Sequence, residues 1–92
     1  MWYLYLLKCK NGQLYTGITD NLKRRFEEHQ SGKGGHYTKY SQPQEIFYSE
    51  IFSDRFEAEN RESQIKGWSR NKKLALAQNN TNRLRELSKS RD

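Results

Sequence analysis

A phenol, a guanidinium and an imidazole follow one another closely in the first third of the chain. Tyr15 precedes Arg25 by ten residues, and His29 comes four residues after Arg25. Hydrolysis of a phosphodiester needs a base for water, positive charge beside the transition-state oxygens, and a group that stabilises the leaving oxygen. The three side chains are suited to these tasks, so their spacing predicts phosphodiester chemistry.

Two short elements are predicted to position this set. Residues 14–19 read as a strand, and residues 21–30 have the apolar spacing of a helix with Asp20 as its N-terminal cap. Residues four positions apart project from one face of a helix, so Arg25 and His29 are expected to reach the same ligand.

A second tyrosine enters through the preceding strand. Residues 2–9 form an apolar run, and the Asn11-Gly12 pair that follows is the strongest short-range signal for a hairpin turn. The pattern therefore predicts that Tyr5 and Tyr15 lie on paired strands.

These segments resemble the GIY-YIG nuclease family. Residues 3–5 (Tyr-Leu-Tyr) stand for the first half of its motif, residues 15–17 (Tyr-Thr-Gly) for the second, and residues 21–26 and 57–62 continue the ordered pattern. The resemblance covers about residues 2–70 and is greatest for small standalone bacterial members, which are related to the N-terminal domain of the excinuclease C subunit. It implies a DNA endonuclease with a connection to DNA repair.

The resemblance also implies a role for each site residue. Tyr15 or Tyr5 would orient and deprotonate the attacking water, although a free phenol with a pKa near ~10 needs a neighbouring cation or a metal to act as a base. Arg25 would hold a non-bridging phosphate oxygen, and His29 would bind the phosphate or relay a proton. Glu62 would be the carboxylate ligand of one hydrated Mg²⁺ or Mn²⁺ ion.

Purely structural roles are the alternatives for the same side chains. Arg25 has Glu28 and Glu59 as possible ion-pair partners, and Glu62 has Lys66 four residues further along the helix. A helix histidine is often only a polar surface residue, and a strand tyrosine often only packs its ring.

Charge predicts contact with nucleic acid. Residues 1–60 carry 8 Lys and Arg against 8 Asp and Glu, while residues 61–92 carry 9 against 3, so the formal charge of +6 lies in the last third. A basic segment attracts phosphate backbones, and the alternative is a solvated helical surface. The predicted nucleic-acid contacts are Lys33, His36, Lys39, Lys66, Trp68, Arg70, Lys72 and Lys73. For Trp68 the alternative is a ring that closes the core.

The rest of the chain predicts one more strand and further helices. Residues 45–52 form the strand, in which Ile46, Tyr48 and Glu50 are expected to share a face. Ser53 is the predicted cap of a helix over residues 54–66, which stops at Gly67.

A further helix is predicted over residues 70–78, and a short terminal helix capped by Thr81 follows. The predicted class is α+β, with a small three-stranded, mainly antiparallel sheet flanked by helices in the order β-β-α-β-α-α. Residues 1–80 form the predicted nuclease domain, and residues 81–92 a basic C-terminal helix or tail.

Several classes of protein and site are excluded by composition and spacing. The lone Cys9 cannot form an internal disulfide, and one cysteine with two distant histidines cannot build a structural zinc site. No apolar run reaches the ~18 residues that span a bilayer, and no secretory signal begins the chain. Neither a P-loop nor a Gly-x-Ser-x-Gly elbow is present. We therefore expect a cytoplasmic protein with DNA as partner, no membrane contact and no organic cofactor.

Two other functions stay open at this stage. Many family members have an asparagine after the acidic helix, for which Asn71, Asn79 and Asn80 are the candidates here. Without that residue the scaffold would be a module that binds nucleic acid and does not cut it. The third reading is an interaction domain whose positive charge serves only solubility.

Overall fold

The computed structural model describes residues 1–31 and 42–78 of the 92-residue chain. Its elements are β1 (Trp2–Cys9), β2 (Leu14–Thr19), α1 (Leu22–Gln30), β3 (Pro43–Phe52), α2 (Arg55–Lys66) and α3 (Arg70–Ala77). The strands form an antiparallel sheet in the order β2-β1-β3, which confirms the predicted class and element order. Within those two segments no helix combines the length and apolarity needed to cross a membrane. The predicted terminal helix lies outside the described residues.

Asn11 and Gly12 form the predicted turn between β1 and β2. Gly12 has a φ of 87°, a conformation that glycine adopts without the steric cost of a side chain. The side-chain oxygen of Asn11 accepts a hydrogen bond from the Gln13 N–H at 3.0 Å, a contact typical of asparagine in turns. The hairpin prediction is therefore confirmed.

The register of the hairpin determines which side chains share a face. Tyr5 lies opposite Gly17, and Tyr15 lies opposite Leu7. Because side chains alternate along a strand, Tyr5, Leu7 and their two partners all project from the same face of the sheet. Both tyrosines of the predicted site are thus on one side.

The central strand β1 is buried on both faces. One cluster consists of Leu4 and Leu6 with Ile65 of α2, and the other of Tyr5, Leu7 and Cys9 with Leu22 and Phe26 of α1 packed against it. Each fully buried aliphatic side chain contributes about 2 kcal/mol by leaving water. Since α1 and α2 cover opposite faces, their polar side chains can meet only around an edge of the sheet.

Strand β3 begins two residues earlier than predicted and contains an irregularity. Its pairing with β1 shifts between Leu6, which faces Tyr48, and Leu7, which faces Ile46. The extra residue, Phe47, reverses the alternation, so Ile46 packs on the α1 side while Tyr48 packs on the α2 side. The predicted common face of Ile46 and Tyr48 was therefore wrong.

Helix α3 begins at Arg70 as predicted, whereas α1 and α2 begin one residue later than predicted, with different caps. Asn21, not Asp20, caps α1 by accepting from the Arg24 N–H at 3.0 Å, while the Asp20 carboxylate binds the Arg24 guanidinium. Asp54, not Ser53, caps α2. Both observed caps have the extended backbone and short side-chain acceptor that capping requires.

Candidate active site

The ring of Tyr5 crosses the adjacent strand at Gly17. A methyl group at Gly17 would lie 2.6 Å from the Tyr5 hydroxyl oxygen and 2.7 Å from Cζ, so only a residue without a side chain leaves room for the ring. This contact carries the Tyr5 hydroxyl out over β2, an edge strand of the sheet. No role was predicted for Gly17 beyond its place in the motif, although a glycine within a strand indicates a close approach.

At that edge the Tyr5 hydroxyl joins Arg25 and His29. The Arg25 Nε–H donates to the Tyr5 oxygen at 3.3 Å, and that oxygen lies 2.9 Å from Nε2 of His29. Both Tyr5 and His29 are completely buried. The predicted convergence of these three side chains is present, and the imidazole is an interior group, not the polar surface residue of the alternative reading.

Burial and neighbouring charge decide the protonation states of this group. The pKa of His29 is lowered from 6.5 to about 4, mainly by burial and also by the positive charge of Arg25, while Glu28 opposes the change. Burial raises the pKa of Tyr5 despite its hydrogen bond from Arg25. At neutral pH the imidazole is therefore neutral and the Tyr5 hydroxyl is protonated, so the two share one hydrogen bond between uncharged groups.

Arg25 lies between the two phenols. Burial alone would lower the pKa of its guanidinium, but hydrogen bonds and charge interactions with Tyr5 and Tyr15 raise it. Its Nη1 also lies 3.7 Å from a carboxylate oxygen of Glu28, which is the ion pair that the sequence offered as an alternative. The Arg25 guanidinium thus pairs with Glu28 and still belongs to the cluster that it forms with Tyr5 and His29.

Tyr15 is the phenol that reaches solvent. Tyr15 is 37% exposed, whereas Tyr5 is completely buried. The Tyr15 ring centroid lies 5.1 Å from that of His29 and 6.3 Å from that of Tyr5. The two tyrosines are therefore adjacent but differ in access to water.

Glu62 approaches the same edge from α2. It lies one helical turn from the buried Ala58 and Ile65, and its side chain is 20% exposed. Its negative charge is near enough to contribute to the raised pKa of Tyr5, after the larger effect of burial. Lys66 Nζ lies 3.4 Å from Glu62 Oε2, so the predicted alternative pairing is also present.

The carboxylate oxygens of Glu62 are ligands of the kind that a hard, hydrated cation prefers. In the described part of the chain no group of three or more His, Cys, Asp or Glu side chains could hold a metal ion. A single carboxylate leaves most coordination positions to water and substrate, as Mg²⁺ prefers and Mn²⁺ accepts. Glu62 is the predicted ligand, and the Lys66 ammonium competes for it.

We expect acid to destabilise the protein through His29. The folded protein takes up the imidazole proton near pH 4 and the unfolded chain near 6.5, so unfolding binds a proton between these values. The stabilisation is fully present above about pH 6.5 and is lost as the pH falls to about 4, which amounts to about 3 kcal/mol. Urea unfolding at a series of pH values measures it.

His29→Gln is the control for this prediction, because its amide can accept from Tyr5 but does not titrate. The parent should lose more free energy of unfolding than the variant between pH 7 and pH 4. Equal losses would assign the acid sensitivity to carboxylates elsewhere.

The predicted nucleic-acid contacts separate into three groups. Lys33, His36 and Lys39 lie outside the described residues. Trp68 packs against the Leu4, Leu6 and Ile65 cluster, as the core-closing alternative holds, and Lys72 Nζ lies 4.3 Å from its ring centroid. Arg70 donates to the Gly12 carbonyl, Lys66 ends α2 and pairs with Glu62, and Lys73 lies in α3.

Of the asparagine candidates, Asn71 lies in the first turn of α3 and is exposed. Asn79 and Asn80 lie outside the described residues.

Comparison with known proteins agrees with this fold and with the motif. The family described as the GIY-YIG catalytic domain matches residues 1–75. UPF0213 proteins of Staphylococcus saprophyticus and Clostridium perfringens are 45% and 46% identical over 80% and 83% of this chain, and 90% and 82% of their own. The solution NMR structure of the UPF0213 protein BH0048 from Bacillus halodurans matches with a TM-score of 0.55 and 38% identity. That match covers 87% of this chain and 86% of the other.

Proposed function

Since this chain belongs to the GIY-YIG family, we propose that it is a metal-dependent endonuclease that hydrolyses phosphodiester bonds in DNA. One observation carries the proposal: Arg25 and His29 meet two phenols at one edge of the sheet, and only Tyr15 among them is substantially open to water. An ordinary structural cluster would not need a cation between two hydroxyl groups in a half-open site.

In the proposed mechanism Tyr15 is the group that contacts the attacking water. Tyr15 acts as the phenolate, which the Arg25 guanidinium stabilises. The phenolate takes one proton from the attacking water and becomes a neutral phenol as the new P–O bond forms and the bond to the leaving oxygen breaks. Tyr5 is buried and its pKa is raised, so it stays protonated at neutral pH and cannot serve as the base. It instead holds Arg25 and His29 in fixed positions as a positioning residue.

Arg25 and Glu62 act on the phosphate. The donors of Arg25 that do not bind the phenols face a non-bridging oxygen, for which a planar guanidinium is well shaped. Glu62 would hold the ion, and a bound Mg²⁺ or Mn²⁺ supplies positive charge that stabilises the leaving oxygen. Lys66 leaves the Glu62 carboxylate when the ion is held there.

The proposal is tested by incubating the purified chain with labelled DNA and either Mg²⁺, Mn²⁺ or a chelator. We expect cutting only with metal. Arg25→Ala and Glu62→Gln should each cut at least about 100-fold more slowly than the parent, since each removes charge stabilisation from the transition state. Glu59→Gln is the matched control, because Glu59 lies on the same helix and pairs with Arg55 at 2.8 Å. Equal cutting by all variants would mean that the activity comes from a contaminant or that the site is elsewhere.

A module that binds DNA without cutting is the second candidate. The Glu62–Lys66 ion pair favours it, because the one carboxylate proposed for the metal already has a cationic partner. If the parent and both variants bind DNA equally and none cuts with either metal, this second function is the correct one.

A further inference from the structure

A polar cluster between α2 and β3 lies outside the candidate active site. Arg61 of α2 donates from Nε and Nη2 to the two carboxylate oxygens of Glu50 in β3, at 2.9 and 3.1 Å. The Tyr48 hydroxyl donates to the same carboxylate, and Gln64 accepts from Nη1 of Arg61 at 2.8 Å. The side chains of Arg61 and Glu50 are only 25% and 20% exposed. A shielded bidentate pair is strong and directional, so it fixes one flank of α2 to β3.

Both members of this pair are held in their charged forms. Burial alone would raise the pKa of Glu50, but hydrogen bonds from Arg61 and Tyr48 bring it below its usual value. The hydrogen bond to Glu50 is the largest of the effects that raise the pKa of Arg61. The Arg61 guanidinium also lies 5.4 Å from the centroid of the Trp68 ring. Loss of either partner would leave the other charge half-buried and unpaired, which disfavours separation of the pair.

The irregularity in β3 places Glu50 on the α2 side of the sheet. Past the shift in pairing, Glu50 lies opposite Leu4, whose side chain belongs to the cluster under α2. Ile46, before the shift, packs on the α1 side. In a regular strand these two positions, four residues apart, would share a face. The extra residue in β3 therefore turns the Glu50 carboxylate toward α2, as bulges commonly do near functional sites.

Glu62 lies on the opposite flank of α2. Ala58 and Ile65 are completely buried, and Ile65 packs on β1, so these two residues mark the line along which the helix rests on the sheet. At about 100° per residue, Arg61 and Glu62 project to opposite sides of this line. Because Arg61 is bonded to β3, Glu62 faces the β2 side of a sheet ordered β2-β1-β3, and α2 packs against β2 as well. The electrostatic effect of Glu62 on Tyr5 agrees with this placement.

We propose that Glu50 and Arg61 are positioning residues for the candidate metal ligand: their pair sets the rotation of α2 about its axis and so holds the Glu62 carboxylate at the β2 edge. This inference rests on the proposed function, which makes Glu62 the ligand. Arg61 and Glu62 are consecutive in the helix, so a rotation that breaks the pair moves both side chains. The described residues offer no cluster of carboxylates, histidines or cysteines for a metal, so the position of the ion depends on Glu62 alone.

The test compares Glu50→Gln with Glu59→Gln in the full chain. Each substitution removes one negative charge from an Arg–Glu pair made by α2, but the pair of Glu59 with Arg55 lies on the exposed side of the helix. Arg61→Lys is the second variant, since it keeps the positive charge and loses the bidentate geometry. Far-UV circular dichroism and urea unfolding show that each variant is folded under the assay conditions.

The first measurement does not depend on cutting: it is the broadening of backbone amide NMR signals by Mn²⁺. Such broadening falls steeply with distance from the ion, so the Gly17 signal in β2, compared with the Glu62 signal, reports whether the carboxylate lies at the β2 edge. We expect both signals to broaden in the parent and in Glu59→Gln, and neither in Glu62→Gln. In Glu50→Gln and Arg61→Lys the Glu62 signal should still broaden, while the broadening of Gly17 is lost.

The second measurement is single-turnover cutting of labelled DNA over a range of Mn²⁺ concentrations. We expect Glu50→Gln and Arg61→Lys to need about tenfold more Mn²⁺ for half of the maximal rate, a typical effect of losing a group that orients a metal ligand. Glu59→Gln should need the same concentration as the parent. Adding Glu50→Gln to Glu62→Gln should cause no further loss of rate, because the pair acts through that carboxylate. A substitution that only lowered stability would reduce the rate in both backgrounds.

The inference is overturned if Glu59→Gln changes either measurement as much as Glu50→Gln does. It is also overturned if Glu50→Gln and Arg61→Lys leave both measurements unchanged, or if the losses caused by Glu50→Gln and Glu62→Gln multiply. If the parent binds Mn²⁺ at Glu62 and does not cut DNA, the nuclease proposal fails, and the broadening of Gly17 still decides the inference. A parent whose Glu62 signal is not broadened by Mn²⁺ refutes the inference and the metal-dependent mechanism together.

Discussion

Tyr15→Phe is expected to cut DNA about 1,000-fold more slowly than the parent while binding it with similar affinity. The variant removes one hydroxyl from the solvent-exposed phenol, and a general base contributes between about 100- and 10,000-fold to a rate. Tyr15 is 37% exposed, so the loss of its hydroxyl should have little effect on the packing of the core. Single-turnover cutting of labelled DNA with excess protein measures the chemical step separately from binding.

Tyr5→Phe is the matched comparison, since it removes the same atom from the buried phenol. It breaks the hydrogen bonds that the phenol makes with Arg25 and with Nε2 of His29. We expect a loss of stability of about 1–3 kcal/mol and a smaller loss of rate than for Tyr15→Phe. If Tyr5→Phe abolishes cutting and Tyr15→Phe does not, the buried phenol is the base and the assignment of the two roles is reversed.

Gly17→Ala is expected to lower both stability and activity by large amounts. The added methyl group would lie 2.6 Å from the Tyr5 hydroxyl oxygen, closer than such contacts allow, and 3.1 Å from Cε1 of Tyr15, which is tight. The Tyr5 ring is completely buried and cannot rotate away without displacing Arg25 and His29. Overpacking of this kind costs about 3 kcal/mol, and the displaced hydroxyl no longer holds the guanidinium. Urea unfolding and single-turnover cutting test the two effects.

Gly67→Ala separates this steric effect from the general effect of replacing a glycine. Gly67 ends α2 with a φ of −79°, and the nearest atom to an added methyl group is 3.8 Å away. We expect unchanged or slightly raised stability, by less than about 1 kcal/mol, and normal cutting. If Gly17→Ala behaves like Gly67→Ala, the crossing of Tyr5 over β2 does not hold the site together.

Local signals were sufficient to predict most of the fold. The Asn11-Gly12 turn and the apolar spacing of α1 depend on neighbouring residues only, so the hairpin and the helix are where the sequence predicted them. Asp20 and Asn21 are both good capping residues, and their order in the sequence does not say which one adopts the extended backbone. The irregularity at Phe47 is equally hidden, because a strand with one extra residue has the same composition as a regular strand.

The candidate site was harder to predict in detail. Helical spacing predicts that Arg25 and His29 share a face, but the depth of His29 depends on how α1 packs on the sheet, which involves residues distant in sequence. For the same reason the difference in access between Tyr5 and Tyr15 could not be predicted. The sequence also predicted Lys72 and Lys73 alike as nucleic-acid contacts. Only the position of the Trp68 ring, on which the Lys72 ammonium lies, distinguishes them.

The attachment of Arg70 to the Gly12 carbonyl has a consequence for synthesis. These residues are 58 positions apart. The turn at Gly12 is therefore synthesised early, but the Arg70 side chain that stabilises it leaves the ribosome late. Likewise β1, which lies between β2 and β3 in the sheet, has unpaired backbone N–H and C=O groups along one side until β3 has been synthesised. A nascent chain that stops before β3 would expose an apolar strand with an open edge, which is the kind of segment that aggregates. Chaperone dependence should therefore be greatest for truncated products of this chain.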